Sequence, residues 1–360
     1  MGTLLLRPPG HRRDVALRPA ATAMVWLGEG HPHEMIAVPG VALADADALV
    51  AVELSTVCET DVCAVQGRRS APAPVVLGHE SVGRIIDIGD AGVVAVDGTP
   101  LRVGDRVVWS PTISCGACDR CRSGLPQRCR TLGRYGHDRI GAHGDLTGAF
   151  GSHVQLRSGT AIVRAPESLP AAVLAPASCA TATAWAAVAA ARRDLDGAPV
   201  RVHGAGLVGL TAAAIAAELG AAVEVCDPDP QRAAMAARWL GSSCVERDPE
   251  VVIDASGHAA AEAVDGVAVG GAVVLIGQEV GTGPVLFDAE RIVRTLVTVT
   301  AVQDGSPHDL ADAVAFLAGR GRAYPFAEAV GQVRQLAELD AAMEAASASG
   351  APLRIGVVPG

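Results

Sequence analysis

Two patterns of apolar positions divide the chain. From about residue 21 to 165, short β-rich runs are separated by Gly, Pro and Asp, which is typical of an irregular, mostly β domain. From about residue 170, continuous apolar runs such as PVRVHG (199–204) alternate with alanine-rich helices such as LTAAAIAAELG (210–220). Strands that are apolar on both faces and alternate with helices predict a doubly wound parallel sheet.

The change of pattern near residue 170 predicts an α/β chain of two domains, which suits its length of 360 residues. The tail contains one more helix (335–346) and a last strand (353–358). Residues 1–20 are expected to be a loosely attached extension without the features of a secretory leader. No apolar stretch is long enough to span a bilayer, so the cytoplasm is the expected compartment.

Composition narrows the classes of partner. The net charge is −10 and every basic residue is arginine, so a polyanion is a poor first candidate. We therefore expect a small-molecule substrate, with no nucleic-acid partner and no membrane.

A glycine-rich motif follows the first strand of the second region. It consists of Gly204, Ala205, Gly206, Leu207, Val208 and Gly209. Glycines at this spacing allow a tight turn and a close approach of pyrophosphate to a helix N-terminus. Asp227 ends the next strand, where a carboxylate binds the adenosine ribose and repels a 2′-phosphate, so NAD is favoured over NADP. A tight turn followed by a helix-capping Asp is the structural alternative.

Four cysteines lie within fifteen residues: Cys115, Cys118, Cys121 and Cys129. Four thiolates complete the tetrahedral shell of zinc and leave no open position, which is typical of a structural site. An iron–sulfur cluster, a nucleic-acid-binding zinc ribbon and unliganded thiols are the alternatives that the spacing leaves open.

Three further potential ligands are far apart in the chain: Cys58, His79 and Cys179. Taken singly, each is more typical of a core thiol or an ordinary histidine. Together with the quartet and the glycine motif, they resemble the zinc-containing medium-chain alcohol dehydrogenase family, from about residue 22 onward. The stretches at 103–107 (VGDRV) and 148–151 (GAFG) belong to the same resemblance.

The resemblance implies the fold and its domains. A GroES-like catalytic domain with the structural zinc lobe would span 1–170 and be completed by 306–360, and a Rossmann domain would span 171–305. It also implies two zinc ions per chain and a homo-oligomer, either a dimer or a tetramer.

The resemblance further implies roles for individual residues. Cys58, His79 and Cys179 would hold a catalytic zinc, with Glu80 behind it and Thr60 bonded to the substrate alcohol. The nicotinamide and the ribose would meet a second set: Thr183, Asp227, Arg232, Ile276 and Gln278. The implied activity is hydride transfer between an alcohol or carbonyl compound and NAD(H).

Two positions depart from the family pattern. Cys63 replaces a histidine that ends a proton relay in many relatives, so the relay would end in water, the ribose hydroxyl or another residue such as His153. Glu59 stands where relatives have Gly or Arg, and an acid near pyrophosphate is unfavourable. We therefore expect the Glu59 side chain to point elsewhere.

The substrate is the least determined feature. Stretches at 124–127, 135–137 and 179–183 look similar to a bacterial subgroup linked to phosphonate metabolism, which suggests a hydroxyalkyl phosphonate bound by Arg134, Arg68 or Arg69. A polyol, sugar or cyclitol is the competing class. Trp109, Tyr135, His137 and His153 are pocket candidates, with ordinary packing as their alternative.

The competing function is a non-catalytic nucleotide- or metal-sensing protein with the same fold.

Overall fold

Short strands build the first part of the chain in the computed structural model, which describes residues 12–141, 144–241, 247–277 and 283–360. The strands are β1 Arg13–Trp26, β2 Glu34–Leu43, β3 Ala48–Val57, β4 Val75–Val76, β5 Glu80–Ile88, β6 Arg106–Ile113, β7 Gly133–Arg134, β8 His153–Leu156 and β9 Thr160–Arg164. Two short helices lie between them, α1 Glu59–Val65 and α2 Asp119–Arg122. Strands β2, β1 and β4 form a three-stranded sheet in that order.

Strand β1 corrects the expectation of a loose extension over residues 1–20. From Arg13 onward the chain is paired antiparallel with β2, and Leu17 is buried in a core cluster. The Arg13 guanidinium also bonds Asp87 at 2.7 Å. The expectation was wrong for residues 13–20 because Val15 and Leu17, two positions apart, lie on one face of β1 and pack into the same hydrophobic cluster; residues 1–11 lie outside the described part.

The second part has the predicted parallel sheet. The helices and strands are α3 Ala171–Leu174, α4 Ala180–Ala190, β10 Pro199–His203, α5 Leu207–Glu218, β11 Ala222–Cys226, α6 Pro230–Leu240, β12 Val251–Asp254, α7 Ala260–Gly266, β13 Ala272–Ile276, α8 Ala289–Thr295, β14 Thr298–Val302 and α9 Pro307–Ala318. All pairs in the sheet are parallel, in the order β11-β10-β12-β13-β14. The Rossmann-type prediction is therefore confirmed. Helix α9, which we did not predict, begins at a Ser306–Asp309 capping box.

The C-terminal segment returns to the first part of the chain. It contains β15 Val330–Gln335, α10 Leu339–Ser347 and β16 Arg354–Val358. Strand β16 pairs antiparallel with β3 inside an eight-stranded sheet. This contact supports the division into 1–170 with 306–360 and 171–305, which we retain as a proposal. The 3-10 helices are Pro126–Arg128, Ala175–Ser178, Arg320–Ala323, Phe326–Ala329 and Leu336–Glu338.

No helix of the described residues is long and apolar enough to cross a bilayer by itself. The segments Ala171–Ser178 and Ala180–Ala190, bent by 56° at their junction, meet the criterion only as a pair.

Candidate active site

Four potential metal ligands converge where elements from both parts of the chain begin or end. Cys58 follows β3, His79 and Glu80 stand at the start of β5, and Cys179 lies between Ala175–Ser178 and α4. One donor atom from each of the four residues lies within 4.8 Å of the other three. Thiolates bound to one tetrahedral zinc ion stand about 3.8 Å apart, so the donor set and its spacing fit zinc.

Asp61 supports two of these ligands from the first turn of α1. Its carboxylate is buried and accepts hydrogen bonds from the backbone N–H of Cys58 at 2.9 Å and of Gly78 at 3.1 Å. Its Oδ1 also lies 3.6 Å from Nδ1 of His79. This distance is beyond hydrogen-bond range, so Asp61 acts on the imidazole through its charge, and a carboxylate beside a ligand histidine raises its basicity toward a metal.

Glu80 is held away from water by a buried ion pair. Arg354 donates two hydrogen bonds to its carboxylate, at 2.7 and 2.8 Å, and Thr56 donates a third at 2.6 Å. The Arg354 guanidinium also lies 3.7 Å from Sγ of Cys58. Arg354 thus supplies a positive charge that favours the thiolate form of the ligand.

The two cysteines of this set have pKa values shifted in opposite directions. A hydrogen bond from Cys179, followed by the charge of Arg354, holds the pKa of Cys58 well below its usual range although burial opposes the shift. The same hydrogen bond and burial raise the pKa of Cys179. Metal binding requires thiolates, so zinc binding at this cluster would release protons.

A cleft of about 540 Å³ connects these ligands with the nucleotide motif. Cys58, Thr60 and Cys179 line one end, and Thr60 Oγ1 lies 3.7 Å from Sγ of Cys58. The walls include further residues predicted to meet the cofactor: Thr183, Gly206, Leu207, Val208, Arg232 and Ile276. The cleft therefore joins the predicted metal ligands and the predicted dinucleotide site.

The glycine motif forms the turn between β10 and α5. A Cβ at Gly209 would stand 1.9 Å from the carbonyl oxygen of Gly204, so only glycine fits there. A Cβ at Gly206 would meet no protein atom within 4 Å, because this residue faces the open cleft at the N-terminus of α5. Backbone N–H groups at this end of a helix bind anions such as phosphate.

The adenosine end of the cleft has a carboxylate and a cation. Asp227 accepts hydrogen bonds from the backbone N–H of Ala205 at 2.7 Å and of Asp229 at 2.9 Å. Arg232 donates to the Ala351 carbonyl, and its buried Nη1 has no hydrogen-bond partner within the part of the chain that the structure describes. Gln278 lies outside the described residues.

The cysteine quartet occupies a separate lobe around α2. The sulfur of Cys118 lies 3.5 Å from that of Cys121 and 4.0 Å from that of Cys129, which are the separations expected around one zinc ion. Backbone N–H groups of Cys115 and Thr131 donate to the sulfur of Cys129. The first of these bonds is the main reason that the pKa of Cys129 falls to about 6, which favours a metal-binding thiolate.

A small pocket of about 40 Å³ lies on the other side of the predicted catalytic metal site. Its walls are Thr60, His79, Pro111, Thr112, Arg134, His137, Cys179 and Asp304. The rings of His79 and His137 meet edge to face at 5.2 Å. Burial, followed by the charge of His79, lowers the pKa of His137 to about 4, so His137 is neutral near pH 7.

The other pocket candidates have different surroundings. Trp109 and Tyr135 are almost fully buried in a hydrophobic cluster, and the Tyr135 hydroxyl bonds Thr160. His153 lies on β8 opposite Ala51 and bonds Ser152, outside both described pockets. Ordinary packing is therefore the better description of these three aromatic residues.

Glu59 contradicts our expectation that its side chain points elsewhere. It lines the cleft and pairs with Arg68 at 3.0 Å, so a local cation offsets its charge. Cys63 is buried and donates toward Glu59 at 3.5 Å. Burial raises the pKa of Cys63 to about 11, so this thiol does not replace a histidine as a proton carrier near pH 7.

Sequence reasoning missed three residues of the site: Asp61, Asp304 and Arg354. Asp61 stands three positions after Cys58, and this spacing was an available signal for a carboxylate beside the ligand. Asp304 and Arg354 come from distant elements, after β14 and in β16. No local pattern connects them with the ligands.

Comparison with known proteins agrees with this geometry. Residues 44–167 match the family model of the alcohol dehydrogenase GroES-like domain, and residues 171–303 match the C-terminal domain of alanine dehydrogenase/PNT. The solved alcohol dehydrogenase of Thermotoga maritima aligns with 94% of this chain and 99% of its own, with a TM-score of 0.84 and 26% identity. These matches support the resemblance to the zinc-containing medium-chain alcohol dehydrogenase family.

Curated relatives of this chain match over part of their length. L-threonine 3-dehydrogenase of Chelativorans sp. (strain BNC1) is 34% identical over 225 residues, 59% of each chain. The enzyme of the same name from Anaeromyxobacter sp. (strain K) is 33% identical over 229 residues. This chain thus spans about three fifths of the length of these relatives. L-idonate 5-dehydrogenase of Escherichia coli K-12 shares the fold, with a TM-score of 0.79 at 18% identity.

Proposed function

We propose that this protein is a zinc-dependent, NAD-linked dehydrogenase of polar alcohols. The observation that carries the proposal is the 4.8 Å cluster of donors from Cys58, His79, Glu80 and Cys179 at one end of the nucleotide cleft. When bound, zinc supplies Lewis acidity to an alcohol oxygen and nicotinamide accepts the hydride. The protein supplies position and electrostatics.

The residues of the chain have distinct tasks in this proposal. Cys58, His79 and Cys179 hold the metal, Asp61 raises the basicity of His79, and Thr60 accepts the proton of the substrate hydroxyl. Because Cys63 does not titrate near pH 7 and His153 lies outside the cleft, the proton passes from Thr60 to water or to a ribose hydroxyl.

We propose NAD as the cofactor and two zinc ions per chain. The carboxylate of Asp227 beside the glycine turn supports NAD, because it repels a 2′-phosphate. A fold neighbour from Sinorhizobium meliloti, 22% identical, was solved with NADP, so the preference requires measurement. The second zinc belongs to the quartet of Cys115, Cys118, Cys121 and Cys129.

Three substrate classes have support. Arg134 in the small pocket supports the hydroxyalkyl phosphonate suggested by the sequence, and the fold neighbour L-idonate 5-dehydrogenase supports the polyol, sugar or cyclitol class. The name of the L-threonine 3-dehydrogenase relatives adds a third class, the 2-amino-3-hydroxy acids. All three are polar alcohols.

The decisive experiment is a screen of diverse alcohols with zinc-loaded protein, read by NADH absorbance. The proposal expects turnover of at least one polar alcohol and about two zinc ions per chain by elemental analysis. A non-catalytic nucleotide- or metal-sensing protein, the alternative of another class, would bind the dinucleotide and reduce none. Absence of hydride transfer with both NAD and NADP would overturn our proposal.

The proposal extends to assembly and compartment. Val299 on the edge strand β14 is exposed, as are Val293 in α8 and Leu296 just after it, and these apolar side chains support a homo-oligomer formed through this part of the surface. Light scattering should give a dimer or a tetramer. Zinc-binding thiols persist in reducing compartments, which supports the cytoplasm.

A further inference from the structure

Asp304 stands where the nucleotide cleft meets the small pocket beside the metal ligands. It lines both, together with Thr60 and Cys179. The residue lies in the turn between β14 and α9 and has a left-handed backbone with φ of 60°. Non-glycine residues in this conformation are uncommon and occur preferentially at functional sites, because the surrounding structure must impose them.

The carboxylate of Asp304 has an unused acceptor. Its Oδ2 atom is buried and has no hydrogen-bond partner among the described residues. Oδ2 forms an ion pair with Arg134, whose Nη2 lies 3.6 Å away, beyond hydrogen-bond distance. A buried acceptor without a donor costs free energy unless a ligand provides the donor.

Arg134 faces the same small pocket from β7. Its side chain is 22% exposed and that of Asp304 is 21% exposed, so both charges are partly shielded from water. The Glu80 carboxylate nearby is already paired with Arg354 through two hydrogen bonds. The pocket therefore presents one cation and one anion to a substrate.

We propose that Arg134 and Asp304, here called the charge pair, select an alcohol that carries both a carboxylate and an ammonium group. The carboxylate would bind the guanidinium of Arg134, and the ammonium group would donate to the unpartnered Oδ2 of Asp304. The proposal rests on the dehydrogenase function above and narrows its substrate to the 2-amino-3-hydroxy acids.

The charge pair disfavours the two other substrate classes. A phosphonate would gain from Arg134 but would place a second anion beside Asp304, at a site where partial burial strengthens the repulsion. A neutral polyol could donate hydroxyl hydrogen bonds to Asp304. It would offer no anion to Arg134, whose charge would then be offset by Asp304 alone. A zwitterion satisfies both groups.

Four alcohols separate these alternatives. L-threonine carries both charges, 3-hydroxybutanoate only the anion, 1-amino-2-propanol only the cation, and 2-butanol neither. In the wild-type enzyme, kcat/KM for L-threonine should exceed that of each singly charged analogue by about tenfold or more, because each charge-assisted hydrogen bond contributes about one factor of ten to a hundred. A preference for 2-butanol or for 3-hydroxybutanoate would overturn the proposal.

Two substitutions assign the charges to residues. Asp304→Asn tolerates the same backbone and should lower kcat/KM for L-threonine and 1-amino-2-propanol by about 10- to 100-fold while sparing 3-hydroxybutanoate. Arg134→Gln should instead lower kcat/KM for L-threonine and for 3-hydroxybutanoate. Glu290→Gln removes one partner of an exposed ion pair on α8 and serves as the matched control. An equal loss for all four substrates in Asp304→Asn would show a purely structural role.

Calorimetry tests the charge pair without turnover. L-threonine titrated into zinc-loaded protein without nicotinamide should bind. The substitution Asp304→Asn should raise the Kd for L-threonine by about tenfold or more. If no alcohol is oxidised but this charge-dependent binding is present, the dehydrogenase function fails and the charge pair stands. If alcohols are oxidised but L-threonine binding is absent or insensitive to both substitutions, the charge pair fails alone.

Discussion

Arg354 and Glu80 form a doubly hydrogen-bonded ion pair beside the proposed metal ligand Cys58. The two residues are 274 positions apart in the chain, and their side chains are 8% and 0% exposed. The pair ties β16 to the start of β5 and keeps a carboxylate next to the ligand cluster. The C-terminal strand thereby takes part in the electrostatics of the metal site.

Removal of the guanidinium by Arg354→Ala should lower the free energy of unfolding by about 3–5 kcal/mol, because it leaves an uncompensated buried carboxylate. Denaturant titration measures this loss. The double variant Arg354→Met/Glu80→Gln, which removes both charges, should recover most of it. If the double variant is as unstable as the single one, packing and not charge explains the effect.

The two proposed zinc sites should respond differently to loss of one thiolate. Cys58→Ser should abolish turnover and leave about one zinc ion per folded chain, because the quartet is untouched. Cys118→Ser should first reduce solubility and thermal stability, because that lobe has little core of its own. Elemental analysis and circular dichroism distinguish the outcomes. A stable Cys118→Ser enzyme that lost only the chemical step would contradict the division.

The positive charge of Arg68 should offset the negative charge of Glu59 and so favour binding of the cofactor. In Arg68→Gln the carboxylate is left alone in the nucleotide cleft, and we expect KM for NAD to rise about two- to fivefold, the range of an exposed ion pair. Added salt should shrink the effect. The double variant with Glu59→Gln should return KM toward the wild-type value; persistence of the defect would assign Arg68 a direct contact with the cofactor.

The NAD preference should depend on the charge of Asp227. Asp227→Asn keeps a side-chain acceptor for the Ala205 N–H and removes the repulsion of a 2′-phosphate. The ratio of kcat/KM for NAD to that for NADP should fall by about tenfold or more, which corresponds to about 1.4 kcal/mol. An unchanged ratio would count against the ribose assignment.

Sequence patterns predicted those features that depend on contiguous residues. The parallel sheet followed from continuous apolar runs, the nucleotide turn from glycine spacing, and the quartet from four cysteines within fifteen residues. Cys58, His79 and Cys179 were selected through the family resemblance, because no local pattern brings residues so far apart together.

Other features were not available from sequence. The unused acceptor of Asp304 arises only when the turn after β14 meets β7, and the Arg354–Glu80 pair arises only when β16 joins the sheet. Strand β1 was missed because Arg and Pro residues obscure its alternation. Our expectation for the Glu59 side chain was wrong because the cation that offsets its charge, Arg68, lies nine positions away, beyond the end of α1.

The late position of β16 imposes an order on biosynthesis. The cysteine quartet emerges from the ribosome as one short segment and has all its ligands long before translation ends. The Glu80 carboxylate, in contrast, is paired with an arginine that is synthesised 274 residues later. The proposed lobe zinc can therefore bind to the nascent chain, whereas the buried ion pair beside the proposed catalytic site forms only after β16 has joined the sheet between β15 and β3.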